Sequence, residues 1–225
     1  MGFFKRLVWI FASPNKVFDD IRERRVSWVQ PWIFCSLIYA VITWISLPIQ
    51  RAVIEVHPTM SGEQIDQQIE MMTRFGFMWV ILAPVGALVI TFIIAGVSYI
   101  AVTLATRTAT FKQYLTLSFF TGIVGMTGQL VSSTIIRVRG LDNIMAPEDA
   151  QMSLSLRALA PDNAVVRGLF GSVEFFAIWS LVLVTMGLTR IFGMSRAQAI
   201  GVAVLLWILY AGIVILGESF GGMNG

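Results

Sequence analysis

Five apolar runs, near 31–50, 78–105, 114–136, 169–189 and 198–217, constrain this chain more than any motif in it. Crossing the hydrocarbon core of a bilayer takes about 20 residues of helix, and each run reaches that length. No water is available to backbone amides there, so each run must close its hydrogen bonds within its own helix. Composition agrees, with 56% of the 225 residues hydrophobic, 13% charged and a mean hydropathy of +0.78. A soluble domain carries roughly twice that share of charge. The pattern predicts an all-α polytopic membrane bundle with five transmembrane helices and N-terminal interfacial amphipathic helices. Barrel strands would alternate polar and apolar residues, and these runs do not. The expected organisation is cytoplasmic interfacial helices over 1–30, a membrane domain over 31–217 and an outer tail over 218–225. The second run is long for one crossing and holds Pro84 and Gly86, so it is expected to kink, tilt or extend beyond the membrane. The first run does not read as a cleaved signal peptide, because some 30 residues precede it and no small-residue cleavage site follows.

Basic residues set the expected orientation. Lys5, Arg6, Lys16, Arg22, Arg24 and Arg25 precede the first span, Arg107 and Lys112 lie between the second and third, and Arg190 and Arg196 between the fourth and fifth. These ten share one side of a five-span protein. The loops 51–77 and 137–168 on the other side hold six Arg and eight acidic residues. The N-terminus is therefore expected in the cytoplasm and the C-terminus outside.

The segment before the first span is compact, basic and aromatic. Ser13-Pro14 starts a helix, with Ser as N-cap and Pro at the first helical position. Val17, Phe18 and Ile21 share one face, with Lys16, Asp19, Asp20, Glu23 and Arg24 elsewhere. Ahead of it, GFFKRLVWIF is too short to span and too apolar to be solvated. Both read as helices in the cytoplasmic interface, apolar faces in lipid and Lys and Arg near anionic headgroups. Trp28 and Trp32 bracket Pro31 at the level indole rings prefer. Pro14, Phe18, Arg24, Arg25, Trp28, Pro31 and Trp32 thus form either an anchor that sets the depth of the first span or a docking platform for a cytosolic protein.

The third run is the least lipid-like. At 100° per residue Ser118, Gly122, Gly125, Gln129 and Ser133 fall within roughly 80° of arc. Such a stripe either packs against a neighbouring helix at the bundle centre or lines a polar pathway. Glu174 reads as an ionisable residue five positions inside the fourth span. It and Gln129 are expected roughly 8–10 Å below the outer boundary. A carboxylate there must be paired, protonated or facing water, with Arg137, Arg139 and Arg167 as candidate partners. Either Glu174 makes a structural pair, or it is a protonatable, cation-attracting group in an outward-facing cavity.

The outer loops carry less. Ser61 suits an N-cap, with Ile65, Ile69 and Met72 at helical spacing on a helix that leads into the second span. In 137–168, Met152, Leu156 and Leu159 suit a helix, and Met152, Leu154 and Leu156 a strand; a short helix from Pro147 is preferred. The closing GGMNG reads as a flexible tail.

One Cys (Cys35) and one His (His57) exclude a disulfide framework and a Cys/His zinc site by count. HExxH, GxSxG, P-loop and GxGxxG motifs do not occur, so no catalytic activity and no cofactor are expected. The basic cluster is short and its aromatics suit a membrane surface better than stacked bases, so nucleic acid is not expected as a partner. The lipid bilayer is, and small-residue faces leave room for a homo-oligomer.

An SPxxxF segment, then charges, then a Pro opening the first of five spans resembles the Yip (Ypt/Rab-interacting protein) membrane family. VEFFAIWSLVLVTMGLTRIFGMSRAQAIGVAVLLWIL, residues 173–209, is similar to its bacterial branch. There an acidic residue, an aromatic pair and a Trp open the fourth span, a Gly closes it and Ser-x-x-x-Ala starts the fifth. The matching positions are Glu174, Phe175, Phe176, Trp179, Gly187, Ser195 and Ala199. The resemblance implies five spans with the N-terminus inside and the C-terminus outside, and no established activity. Eukaryotic members carry a long cytosolic N-terminal region and an Asp-Leu-x-Gly-Pro signature; here Ser27-Trp28-Val29-Gln30-Pro31 keeps only the Pro. Rab GTPase binding is therefore not carried over, and the expected setting is the cytoplasmic membrane of a prokaryote. Two functions remain: a scaffold or adaptor, and a transporter or channel-like protein using the third-span stripe and Glu174.

Overall fold

The computed structural model describes the backbone of residues 1–106, 110–150, 155–161 and 163–223. Arg107, which entered the charge count, and Met152 and Leu154 of the helix-or-strand reading lie outside the described residues. Eight α-helices follow one another: α1 (Phe3–Ala12), α2 (Pro14–Arg22), α3 (Val29–Glu55), α4 (Gly62–Ala105), α5 (Phe111–Arg139), α6 (Ala164–Ser172), α7 (Phe175–Phe192) and α8 (Arg196–Met223). Among the described residues there is no β-strand. Five of these helices, α3, α4, α5, α7 and α8, are long and apolar enough to cross a membrane.

Local chemistry sets the helix ends. Ser61 and Gln64 cap α4 reciprocally, the Ser61 Oγ accepting from the Gln64 amide and the Gln64 side chain from the Ser61 amide. Ser195 and Gln198 repeat the arrangement at the start of α8. Short 3-10 turns over Leu141–Asn143, Pro147–Ala150 and Leu156–Leu159 connect α5 to α6.

Three boundaries differ from the sequence reading. The fourth apolar run is two helices, because the chain leaves α6 at Val173 and re-enters helix at Phe175. Hydropathy hides the break, since Gly171, Val173 and their neighbours are as apolar as a span. Gly187 does not end the fourth span; α7 runs on to Phe192 and stops at Gly193, whose φ of +67° is left-handed. The backbone of 218–223 is helix in α8 rather than a flexible tail. The second run does extend: α4 is one helix of 44 residues, about 66 Å long.

The central helix is α5, which packs on α3, α4, α7 and the N-terminal helices. Of its most apolar 18-residue window 39% is buried, against 6% for α4, which leaves most of α4's surface for lipid. Tyr114, Leu117, Phe120, Ile123 and Val124 of α5 meet Leu183 and Leu188 of α7 in one closely filled core. Two cross-helix bonds lie within the core: the Cys35 thiol donates to the Phe119 carbonyl at 3.6 Å, and the Ser180 hydroxyl to the Thr121 carbonyl at 3.2 Å.

Close approach of α5 and α7 occurs at Gly128 and Gly187, not at Gly122. A methyl group on Gly128 would sit 2.8 Å from Phe176 Cβ and one on Gly187 would clash with Leu117 Cδ1, whereas Gly122 has nothing within 4 Å. Gly122→Ala and Gly128→Ala are therefore expected to move stability in opposite directions. Relief of glycine's backbone entropy stabilises the first by about 0.5–1 kcal/mol. Overpacking destabilises the second by about 1–3 kcal/mol. Thermal unfolding of the two variants in one detergent checks the signs.

Candidate functional site

Two polar regions lie at opposite ends of the bundle. The first is the N-terminal latch. Val17 and Phe18 are completely buried and Ile21 nearly so, all within the core cluster formed with α5 and α7. This corrects the expectation that this face lies in lipid; α2 uses it to plug the near end of the bundle. Phe4, Val8 and Phe11 of α1 remain exposed on one face, while Arg6 and Ile10 on the other are buried. Arg6 Nε donates to Asp20 Oδ2 at 2.9 Å, tying α1 to α2. Arg190 donates to both carboxylate oxygens of Asp19, Nε at 2.7 Å and Nη2 at 3.0 Å, tying α2 to α7. Gln113 Nε2 donates to the Ile21 and Arg22 carbonyls at the end of α2. Lys16 lies over the Trp9 ring, its Nζ 3.8 Å from the centroid.

The residues singled out in this segment therefore divide. Pro14 opens α2 and Phe18 is core. Trp28 turns inward against Phe92 and Phe119, with Trp32 beside it, and Pro31 is buried in the first turn of α3. Arg24 and Arg25 stay exposed. Arg24 ends α2 with φ +57°, its amide donating to the Ile21 carbonyl and the Arg25 amide to the Asp20 carbonyl. That is the position where helices usually place glycine.

The paired hydrogen bonds from Arg190 hold the Asp19 carboxyl below the usual carboxylate range, with burial opposing and Arg22 assisting. A carboxyl depressed by folding contributes stability above its unfolded value, near pH 4, and loses it as pH falls through the folded value. Asp19→Asn is expected to produce a small fall in melting temperature at pH 7 that shrinks in high salt and as pH falls below the usual carboxylate range. Melting curves across pH 2.5–7 check this.

The second region is a polar cup of about 390 Å³ at the far end. Gln129 and Ser133 of α5 line it together with Glu174. Ser118 does not; it lies toward the near end and donates to the Tyr114 carbonyl of its own helix. Glu174 is not inside a span but is the N-cap of α7, where its backbone bridges to Ser155 of the long connection. None of Arg137, Arg139 and Arg167 forms an ion pair with it among the described residues. The opposite wall is a set the sequence reading missed: Tyr39, Thr43, Ser46 and Gln50 of α3. Their signal was legible, since at 100° per residue these four fall within about 60° of arc. Ser46 and Ser133 hydroxyls meet across the wall at 3.3 Å. Cys35, Phe119 and Phe120, nearer the other end of α3 and α5, belong to the apolar core and not to the cup lining.

Five apolar helices of spanning length, α5 central among them, define an integral membrane protein of the multi-span helical class. Residues 9–217 match the Yip1 domain, and the chain belongs to that family. It is similar to "Membrane protein YknW" of Bacillus subtilis (strain 168), with 25% identity over 220 residues, 96% of this chain and 90% of the relative. No solved structure matches it.

Proposed function

We propose that this protein is a non-catalytic membrane scaffold that presents a preformed basic platform, built by α1 and α2, to a partner in the cytoplasm. The observation that carries the reading is the latch. A segment that merely floated in the interface would turn its apolar face to lipid, whereas α2 spends that face on the bundle and is held by Arg190. The outward surface left over is the basic turn with Arg22, Arg24 and Arg25. Arg24 holds a left-handed conformation costing about 1–2 kcal/mol that glycine would avoid. Strain kept at a charged, exposed position suits a recognition role. The ten-to-six bias in basic residues supports a cytoplasmic position for this face, and the bacterial relative supports a prokaryotic cytoplasmic membrane. The scarcity of charged residues within the spans favours the scaffold over a coupled transporter, which usually carries several.

The test is purification from native membranes in mild detergent, comparing the unmutated protein with an Arg24→Gly/Arg25→Ser variant. The fold should survive, since glycine relaxes Arg24 and Arg25 pairs only with exposed Glu23. A stoichiometric cytosolic protein retained by the first and lost by the second supports the platform. Retention of lipid alone in both overturns it.

A further inference from the structure

We propose that the cup between α3 and α5 is a receptor for a primary ammonium group, with Glu174 as its counter-ion. The site lies at the opposite end from the platform and stands or falls separately from it. Glu174 is the one carboxyl side chain among the described residues lining the cup. It is partly buried and has neither hydrogen bond nor ion pair among the described residues. A partly buried carboxylate favours a counter-charge, and among the described residues none supplies one. The walls supply further acceptors: the Tyr39 and Ser132 hydroxyls and the Gln50 and Gln129 amides make no other side-chain hydrogen bond among the described residues. One carboxylate with several neutral oxygens matches the three donors of an ammonium. A divalent metal would draw on more carboxylates than one. A quaternary ammonium would need an aromatic cage, and Tyr39 is the single aromatic in the wall.

The rim narrows the class further. Ile136 lines the cup, and exposed Arg137 and Arg139 follow it at the end of α5. Arg139 lines a small hollow that shares Ile136 with the cup, so a carboxylate inside and a guanidinium next to it reproduce, in reverse charge, the ammonium and phosphate of an ethanolamine phosphate. That chemistry occurs in an aminophospholipid headgroup and in soluble ethanolamine phosphate.

Nanodiscs containing equal parts phosphatidylethanolamine, its N-methylated derivatives, phosphatidylcholine and phosphatidylglycerol test it, with retained lipids counted by native mass spectrometry. The unmutated protein is expected to retain phosphatidylethanolamine about tenfold over phosphatidylcholine, with stepwise loss along the methyl series. Glu174→Gln is expected to abolish the preference and Gln129→Ala to weaken it; Gln129 is exposed, so that variant is safe for folding. A second arm titrates soluble ethanolamine phosphate into protein in detergent and reads the shift in melting temperature. Lipid retention without a soluble response assigns the site to the membrane. A soluble response lost in Glu174→Gln, without lipid preference, assigns it to a free amine. Equal retention along the methyl series on the unmutated protein, with no soluble response, overturns the proposal.

Discussion

Replacing Phe18 by alanine is expected to destabilise the whole bundle by about 3–5 kcal/mol, the cost of truncating a core phenylalanine. The magnitude follows from its setting. Phe18 is completely buried, with Val17 and Ile21 beside it and the α5 and α7 side chains around it. The same substitution on a helix floating in the interface would weaken membrane association and leave the five spans unaffected. The measurement is thermal unfolding in detergent, read from signals within the spans, alongside flotation of the variant with membranes. A lowered melting temperature with flotation unchanged is the expected pair of results. Unchanged melting with reduced flotation would return α2 to the role of a lipid anchor. Deleting residues 1–27 is a poor probe of partner binding for the same reason: it removes Val17, Phe18 and Ile21 from the core.

What could be read in advance follows from which physics reaches the sequence. The five spans were legible because the bilayer imposes length and apolarity on each one separately. The helix start at Ser61 was legible because capping is decided within four residues; the same pairing of Ser195 with Gln198 was not read as a cap. The split at Val173–Glu174 was not, because hydropathy records composition and not where a backbone turns. The fate of α2's apolar face was not either. Val17, Phe18 and Ile21 look the same whether protein or lipid covers them, and the Asp19–Arg190 pair joins residues 171 positions apart. Half of the cup was in view: Gln129, Ser133 and Glu174 stood out as polar groups in apolar runs. The α3 wall was overlooked because Tyr39, Thr43, Ser46 and Gln50 are each ordinary, and only their common face makes them a site. Of the two glycines in the α5 stripe, Gly125 faces Ser180 of α7 and Gly122 faces nothing, while the tightest approach among α5 glycines is at Gly128, since spacing cannot say which small residue meets a neighbour's Phe176.

Asp20→Ala is the second large effect, and its sign separates two accounts of the basic N-terminus. Counted along the sequence, Arg6 is one of six cations before the first span, each expected among anionic headgroups. Removing a nearby acidic residue would then strengthen membrane attachment. In the structure the Arg6 side chain is 6% exposed and the Asp20 side chain 13%, with their atoms 2.9 Å apart and the N-terminal ammonium 3.6 Å from the same carboxylate. Removing Asp20 leaves a buried guanidinium without a counter-charge, a change that costs about 3–5 kcal/mol in buried pairs. The expected result is loss of the α1–α2 docking and a marked fall in melting temperature. Arg6→Leu/Asp20→Leu removes both charges together and is expected to recover most of that loss, because it is the unpaired ion, not the absent pair, that destabilises. A double-mutant cycle in zwitterionic detergent, repeated with anionic lipid added, measures the coupling. If Asp20→Ala alone raises the melting temperature when anionic lipid is present, Arg6 takes its counter-charge from headgroups and the latch is not what holds α1.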